Sequence, residues 1–361
     1  DAMSRHTITR QHLQHRRFEA EHVLLDEDAL APQVQQRVGQ HLPRPVVRDL
    51  PATVALPHGD VAGAVHMLGA ASQPLSEHRV MLGQPQLVGR VFAARLGEGA
   101  HRVGGFLGTS TAGILQTEVA YRERDATSGA LPAWLHYGHT HNTYSVSAYV
   151  RAALGLQGPA YVVSTACSSS AKVFAAAARM IDAGIVDAAV VGGVDSLCMT
   201  TLYGFASLEL LSPQICRPWD AERNGLSLGE AAAFALLERE CAEPAAWLLG
   251  AGESSDGHHM SSPHPEGAGA AQAMRGALSQ ARLQPSDVDY LNLHGTGTPG
   301  NDAAEDRAVG AVFGHALPCS STKGHTGHTL GAAGGVEAAI GMLALVAGGA
   351  DVIELGVPFS D

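Results

Sequence analysis

Two segments of this chain read as helices that are small or apolar around most of their circumference, and each starts beside a reactive side chain. SSSAKVFAAAARMIDAG, residues 168–184, follows Cys167, and TLGAAGGVEAAIGMLALVAGG, residues 329–349, follows His328. A helix without a polar face cannot lie on a surface, so both are predicted to be buried. Ser168 and Thr329 stand where a side chain can cap free backbone N–H groups. The pair predicts a pseudo-twofold core with its site at the two helix starts. Composition agrees: 42 glycines and only 5% aromatic residues suit elements that approach closely.

Around these helices run short β-branched stretches, at 102–107, 160–164, 188–191, 232–237 and 290–293, alternating with small-residue helical patterns. That alternation predicts α/β layering. Three zones follow from composition. Residues 1–100 are rich in Gln, His, Arg and Pro, with short amphipathic helices expected over 11–42 and no evident chemistry. Residues 101–348 form the core, and 349–361 a tail unlike it. The uncharged run 338–350 is too short for a bilayer, which takes about 20 residues, and the polar start suggests no signal peptide.

Charge and cysteine content narrow the function. A net charge of −12 argues against a nucleic-acid binder. Five cysteines, an odd number without a CxxC pair, fit a reducing, cytoplasmic setting with at least one free thiol.

Three segments carry chemistry. In VVSTACSSSAKVF, 162–174, a β-rich run delivers Cys167 to a turn of small residues at a helix start. The dipole there is expected to lower the thiol pKa, and Cys167 is either a nucleophile or a buried structural cysteine. In YLNLHGTGTPGNDAAE, 290–305, a strand ends at His294 and a Gly–Thr–Gly–Thr turn exposes Thr296 and Thr298. His294 can serve as acid, base or donor, or be a satisfied loop histidine. SSTKGHTGHTLGAAGGVEAA, 320–339, supplies Lys323, His325 and His328, with Glu337 the nearest carboxylate for the lysine. His325 and His328 sit on a Gly-broken turn, and the clusters at 136–141 and 257–264 lack metal spacing, so no metal is expected.

Taken together, TACSSS, HGTGT 127 residues later, and KGHTGH with GAAGGVEA resemble the β-ketoacyl-[acyl-carrier-protein] synthases, the condensing enzymes of the type I/II ketosynthase family. GGFLGTSTAG, VVGGVDSL, GFASLELLSP and GESSDGHHMSSPHPEG look like the same family, and the likeness spans 101–348. It implies a thiolase-like fold, a five-layered αβαβα core of two similar halves, as a homodimer or a heterodimer with a second ketosynthase-like chain. By the match, Cys167 accepts an acyl chain from an acyl carrier protein. His294 and His328 stabilise the enolate formed when malonyl carrier protein loses CO₂. Lys323, coupled to Glu337, supports the site, and Thr296 and Thr298 hold the phosphopantetheine arm. No cofactor beyond that arm is implied. Such a condensation needs a thiol nucleophile and oxyanion donors, among them the Cys167 N–H.

The intact Cys167 argues against a chain-length factor. Two features depart from the pattern: no V-x-x-T-G-x-G segment in 1–20 and no Gly-Phe-Gly-Gly gate. The alternative is therefore a non-condensing, carrier-binding partner subunit or an incomplete ketosynthase; a thiol hydrolase or acyltransferase is a third reading. The end, GGADVIELGVPFSD, resembles a tryptophan synthase α-chain segment, from which no lyase activity is expected.

Overall fold

The computed structural model describes residues 65–71, 102–239, 246–259, 261–341 and 353–355. The helices expected over 11–42 lie outside them. In chain order the elements are β1 Val65–Ala71, β2 Val103–Gly108, α1 Ile114–Arg122, α2 Tyr137–Thr140, α3 Tyr144–Ala153, β3 Ala160–Val163, α4 Ser169–Asp182, β4 Ala188–Asp195, α5 Met199–Ser207 and β5 Ala231–Glu238. There follow α6 Ala268–Ala281, β6 Tyr290–Asn292, α7 Pro299–Phe313, β7 Cys319–Ser320, the short α8 Lys323–Thr326, a 3₁₀ turn Leu330–Ala332 running into α9 Ala333–Ile340, and β8 Ile353–Leu355.

The strands form two sheets, ordered β1-β5-β4-β2-β3 and β7-β6-β8. β2 pairs in parallel with β3 and β4, β5 runs antiparallel to β4 and β1, and the second sheet is parallel. Thus β1, from the 1–100 zone, and β8, from the 349–361 tail, each contribute a strand to one of the sheets.

β4, AAVVGGVD, is buried along its whole length, as a small and β-branched run covered on both faces should be. Its period-2 alternation sorts the core. Val190 and Val194, with Phe234 and Leu236 of β5, face Val146 and Val150 of α3. Ala189 and Val191, with Ala235 and Leu237, face Val173, Ala177 and Ile181 of α4. On that second face α9 packs Val336 and Ala339 against Ala231 and Ala233, and it also touches β8. Beyond the second sheet, α6 and α7 close over Leu291 and Leu293. The order is helix, sheet, helices, sheet, helices, with α4 and α9 in the middle layer.

Of the two helices that the sequence predicts to be buried, α9 is buried from Ala333 to Ala339, and its expected continuation to 349 lies outside the described residues; α4 buries one face, with Val173, Ala177 and Ile181, and leaves Arg179 and Asp182 exposed. The two helices meet closely: a Cβ on Gly334 would lie 2.7 Å from the Cβ and the N of Ala171. The predicted caps are a correction. Neither Ser168 nor Thr329 makes a side-chain cap bond. The Ser168 hydroxyl turns back to the Thr165 carbonyl at 2.7 Å instead, a local bond that competes with capping.

Candidate active site

The thiol is presented by a strained elbow between β3 and α4. Ala166 has φ +49°, unusual for a residue with a Cβ, and its carbonyl accepts the hydroxyls of Ser169 at 2.6 Å and Ser110 at 3.1 Å. The Thr165 N–H donates to Ser169 Oγ at 2.9 Å. The serines after Cys167 therefore lash the elbow. Gly108 permits this, because a Cβ there would stand 2.3 Å from the Ser170 nitrogen.

His328 and His294 arrive from the other half. His328 bridges the chain at Leu228, its N–H donating to the Ser227 carbonyl at 2.6 Å. Its Nε2 stands 2.9 Å from Cys167 Sγ. His294 follows β6, and its ring meets that of His328 edge-on at 5.2 Å. The turn at His294 is held by Glu305 of α7, whose two oxygens accept the N–H groups of His294 at 2.7 Å and Gly295 at 2.8 Å. Lys323 is buried behind this pair. Its Nζ lies 3.1 Å from His294 Nδ1, donates to the His294 carbonyl at 2.6 Å, and pairs with the Glu337 carboxylate. Thr296 and Thr298 are buried on the next turn, their hydroxyls 2.9 Å apart. Contacts thus join Cys167, His328, His294, Lys323 and Glu337 in one centre; Thr296 and Thr298 follow His294 on the same segment and bond each other, and His325 is outside the cluster formed by Cys167, His294 and His328.

The electrostatics correct one expectation. The helix start does not give a low-pKa thiol: burial pushes Cys167 up to about 12, against a downward pull from Lys323, while Asp195 and Glu337 push it further up. Enclosure of the sulfur outweighs the dipole because the charged form is the one desolvated. Burial, reinforced by Lys323, also holds both histidines well below 6.5. The resting centre is a neutral thiol beside two neutral imidazoles. Burial raises Glu337 and Lys323 opposes it.

Several supporting residues escaped the sequence reading. Buried Asp195, at the end of β4, accepts the hydroxyls of Thr109 and Thr111, the N–H groups of Ser110 and Thr111, and that of Gly331 at 2.5 Å. It ties the loop behind the elbow to the turn after His328. Buried Asp302 accepts the N–H groups of Gly297 and Trp219. The start of α5 is held by Glu118, which accepts the N–H groups of Met199 and Thr200, and by Glu230, which accepts that of Leu197. Phe205 of α5 stands edge-on to His328 at 6.5 Å. VVGGVDSL and the carboxylates of GNDAAE were visible as motifs, but nothing local marks them as buried acceptors.

Two sheets separated by two helices, with a cysteine at one helix start facing the turn before the other, define an α/β protein of the thiolase-like fold. The sequence profile of the beta-ketoacyl synthase N-terminal domain matches residues 93–242 and that of its C-terminal domain residues 245–350. The chain belongs to the β-ketoacyl synthase family. Its relatives include the mitochondrial 3-oxoacyl-[acyl-carrier-protein] synthase of Arabidopsis thaliana, 41% identical over 55% of this chain and 47% of the relative. Nodulation protein E of Rhizobium meliloti is 37% identical over 66% of this chain and 61% of its own length. The chain spans 47% and 61% of the length of these two relatives. Among solved structures, a ketosynthase of Xenorhabdus doucetiae in complex with its chain length factor has a TM-score of 0.65 at 41% identity, covering 74% of this chain and 66% of that one. A beta-ketoacyl synthase of Burkholderia phymatum has a TM-score of 0.65 at 25% identity, with coverages of 82% and 83%.

Proposed function

We propose that this chain carries the catalytic centre of a β-ketoacyl-acyl-carrier-protein synthase, acting in fatty-acid, polyketide or polyene synthesis. One observation carries the reading: Cys167 Sγ sits 2.9 Å from His328 Nε2, beside a second histidine whose Nδ1 faces a buried lysine.

In the first step Sγ attacks the thioester carbon of an acyl carrier protein and a new S–C bond forms. His328 Nε2 takes the thiol proton and passes it to the departing pantetheine sulfur. A neutral pair suits this, because no free thiolate has to be sustained in a buried pocket. In the second step a malonyl thioester loses CO₂, and the electron pair of the broken C–C bond becomes an enolate. The Lys323 contact with Nδ1 fixes the His294 proton on Nε2, where it donates to the enolate oxygen. His328 becomes the second donor once its own ring proton has moved from Nδ1 to Nε2, because Nε2 has handed the thiol proton to the departing sulfur. The enolate carbon then attacks the acyl carbonyl, the C–S bond to Cys167 breaks, and the product is two carbons longer; the sulfur leaves as a thiolate and takes up one proton from solvent to restore the thiol. Thr296 and Thr298 hold the pantetheine arm, and Glu337 keeps Lys323 in place.

The partners in this reading are an acyl carrier protein and a second ketosynthase-like chain, the same or a paralogue. The solved relatives with a chain length factor support the second partner, as does the position of β3 at a sheet edge. No cofactor beyond the carrier's phosphopantetheine is required. Unpaired Cys167, Cys198 and Cys216 suit a reducing, cytoplasmic setting, and among the described residues no helix is long and apolar enough to cross a membrane. Incubation with acyl carrier protein should add one acyl mass to the chain, mapped to Cys167 and lost in Cys167→Ala. An unmodified chain would refute the assignment.

A further inference from the structure

Cys167 Sγ and one nitrogen from each of His294 and His328 lie within 4.8 Å of one another. One thiolate and two imidazoles are a donor set that takes Zn²⁺ or Cd²⁺, with a fourth position open. With metal–sulfur and metal–nitrogen bonds of about 2.3 and 2.0 Å, tetrahedral donors stand roughly 3.3–3.6 Å apart. Cys167 and His328 are already as close as that, at 2.9 Å. Left to itself, this arrangement would be expected to sequester a soft divalent cation and lose its nucleophile.

Lys323 stands in the way. An ammonium has three N–H groups and no lone pair, and Nζ meets three acceptors: His294 Nδ1, the His294 carbonyl and the Glu337 carboxylate. His294 Nδ1 therefore accepts, and the single proton of its neutral ring sits on Nε2. A nitrogen that carries a proton cannot ligate. For Nε2 to bind a cation, that proton would have to move to Nδ1, where it would meet an N–H of Lys323 head-on. The positive charge, 3.1 Å from the ring, also repels an incoming cation.

We propose that Lys323 is a metal-excluding residue: by locking the His294 proton on Nε2 it keeps a zinc-like Cys–His–His cluster free for thiol chemistry. The proposal needs only the geometry of the cluster, and its test reads metal rather than turnover, so it can fail while the condensation reading stands, and the reverse.

The probe is Cd²⁺, whose bond to a thiolate gives an ultraviolet charge-transfer band. Binding displaces the Cys167 proton to solvent. The comparison is between the wild-type chain and Lys323→Met/Glu337→Gln, which removes the buried charges together. The double variant should bind Cd²⁺ at least about tenfold more tightly, in the range by which residues behind metal ligands alter affinity. Its band should vanish when Cys167→Ala is added. Equal affinity in the two proteins, or no Cys167-dependent band in the variant, would overturn the proposal. Should the double variant not fold, the wild type still decides it. Micromolar Cd²⁺ that shields Cys167 from alkylation overturns the exclusion, and alkylation that proceeds unchanged supports it.

Discussion

Glu230→Gln should make the protein more stable at mildly alkaline pH while leaving its stability at low pH nearly unchanged. Glu230 precedes β5, and one of its oxygens accepts the Leu197 N–H at 2.9 Å, just ahead of α5. Burial pushes its carboxyl from an ordinary 4.5 up to about 7, the Leu197 bond pulling weakly the other way. The folded protein therefore holds this proton more tightly than the unfolded chain. Stability is full below about pH 4.5 and declines as pH rises towards 7, where the folded carboxyl also ionises. The displacement corresponds to about 3 kcal/mol at most, since each tenfold change in proton affinity is about 1.4 kcal/mol. Glutamine keeps an oxygen for Leu197 and cannot ionise. Urea unfolding of both proteins at about pH 5 and pH 8 should show the variant's advantage widening by about 2–3 kcal/mol at the higher pH. The other raised carboxyls, Glu305, Asp195 and Glu337, titrate in both proteins and cancel in the difference. A gap of the same size at both pH values would refute the reasoning, as would a wild type more stable than the variant at pH 8.

Two further outcomes follow from the same geometry. Because burial raises the Cys167 thiol to about 12, its alkylation should accelerate roughly tenfold per pH unit between about pH 7 and 10, in proportion to the thiolate fraction. Peptide mapping should follow the label at Cys167 itself, and a plateau near pH 7 would show a thiolate already formed. Gly334→Ala should cost about 1–3 kcal/mol, because the new methyl meets the backbone of Ala171 and forces α4 and α9 apart. Chemical denaturation measures this, and an unchanged midpoint would mean that the two helices can separate freely.

What the sequence made legible was what it encodes locally. Cys167 was readable because a β-branched run, a turn of small residues and a helix follow one another within a dozen positions. His294 was readable because a strand stops at a Gly–Thr–Gly–Thr turn. The burial of α9 was readable from composition alone, whereas α4 keeps an exposed side. The state of the thiol was not readable: the dipole at the start of α4 is a local property, but the enclosure that outweighs it involves residues far along the chain, His328 among them. The carboxylates were hidden for a similar reason. Asp195 looks like an ordinary strand-end acid, and its partners Thr111 and Gly331 lie 84 and 136 positions away. The failed caps show competition at short range, since Ser168 has a carbonyl to bond three residues back and takes it.

The glycine excess gains a second meaning beside those carboxylates. Close packing explains Gly108 and Gly334, where a Cβ would strike the neighbouring helix. It does not explain why glycines also supply N–H groups to buried acids: Gly331 to Asp195, Gly295 to Glu305 and Gly297 to Asp302. At Gly331 a Cβ would stand 2.8 Å from the very Asp195 oxygen that the backbone N–H must reach. A side chain there would push the carboxylate away from the Gly331 N–H, and a lost hydrogen bond to a buried charged group costs about 1–3 kcal/mol. Each of these acids holds a turn that carries the chemistry: Asp195 the loop behind Cys167 and the turn after His328, Glu305 the turn at His294, and Asp302 the turn bearing Thr296 and Thr298. The small residues therefore do more than let helices touch. They bring polar backbone to buried carboxylates, and those contacts place the thiol and the imidazoles from two halves of the chain in one centre.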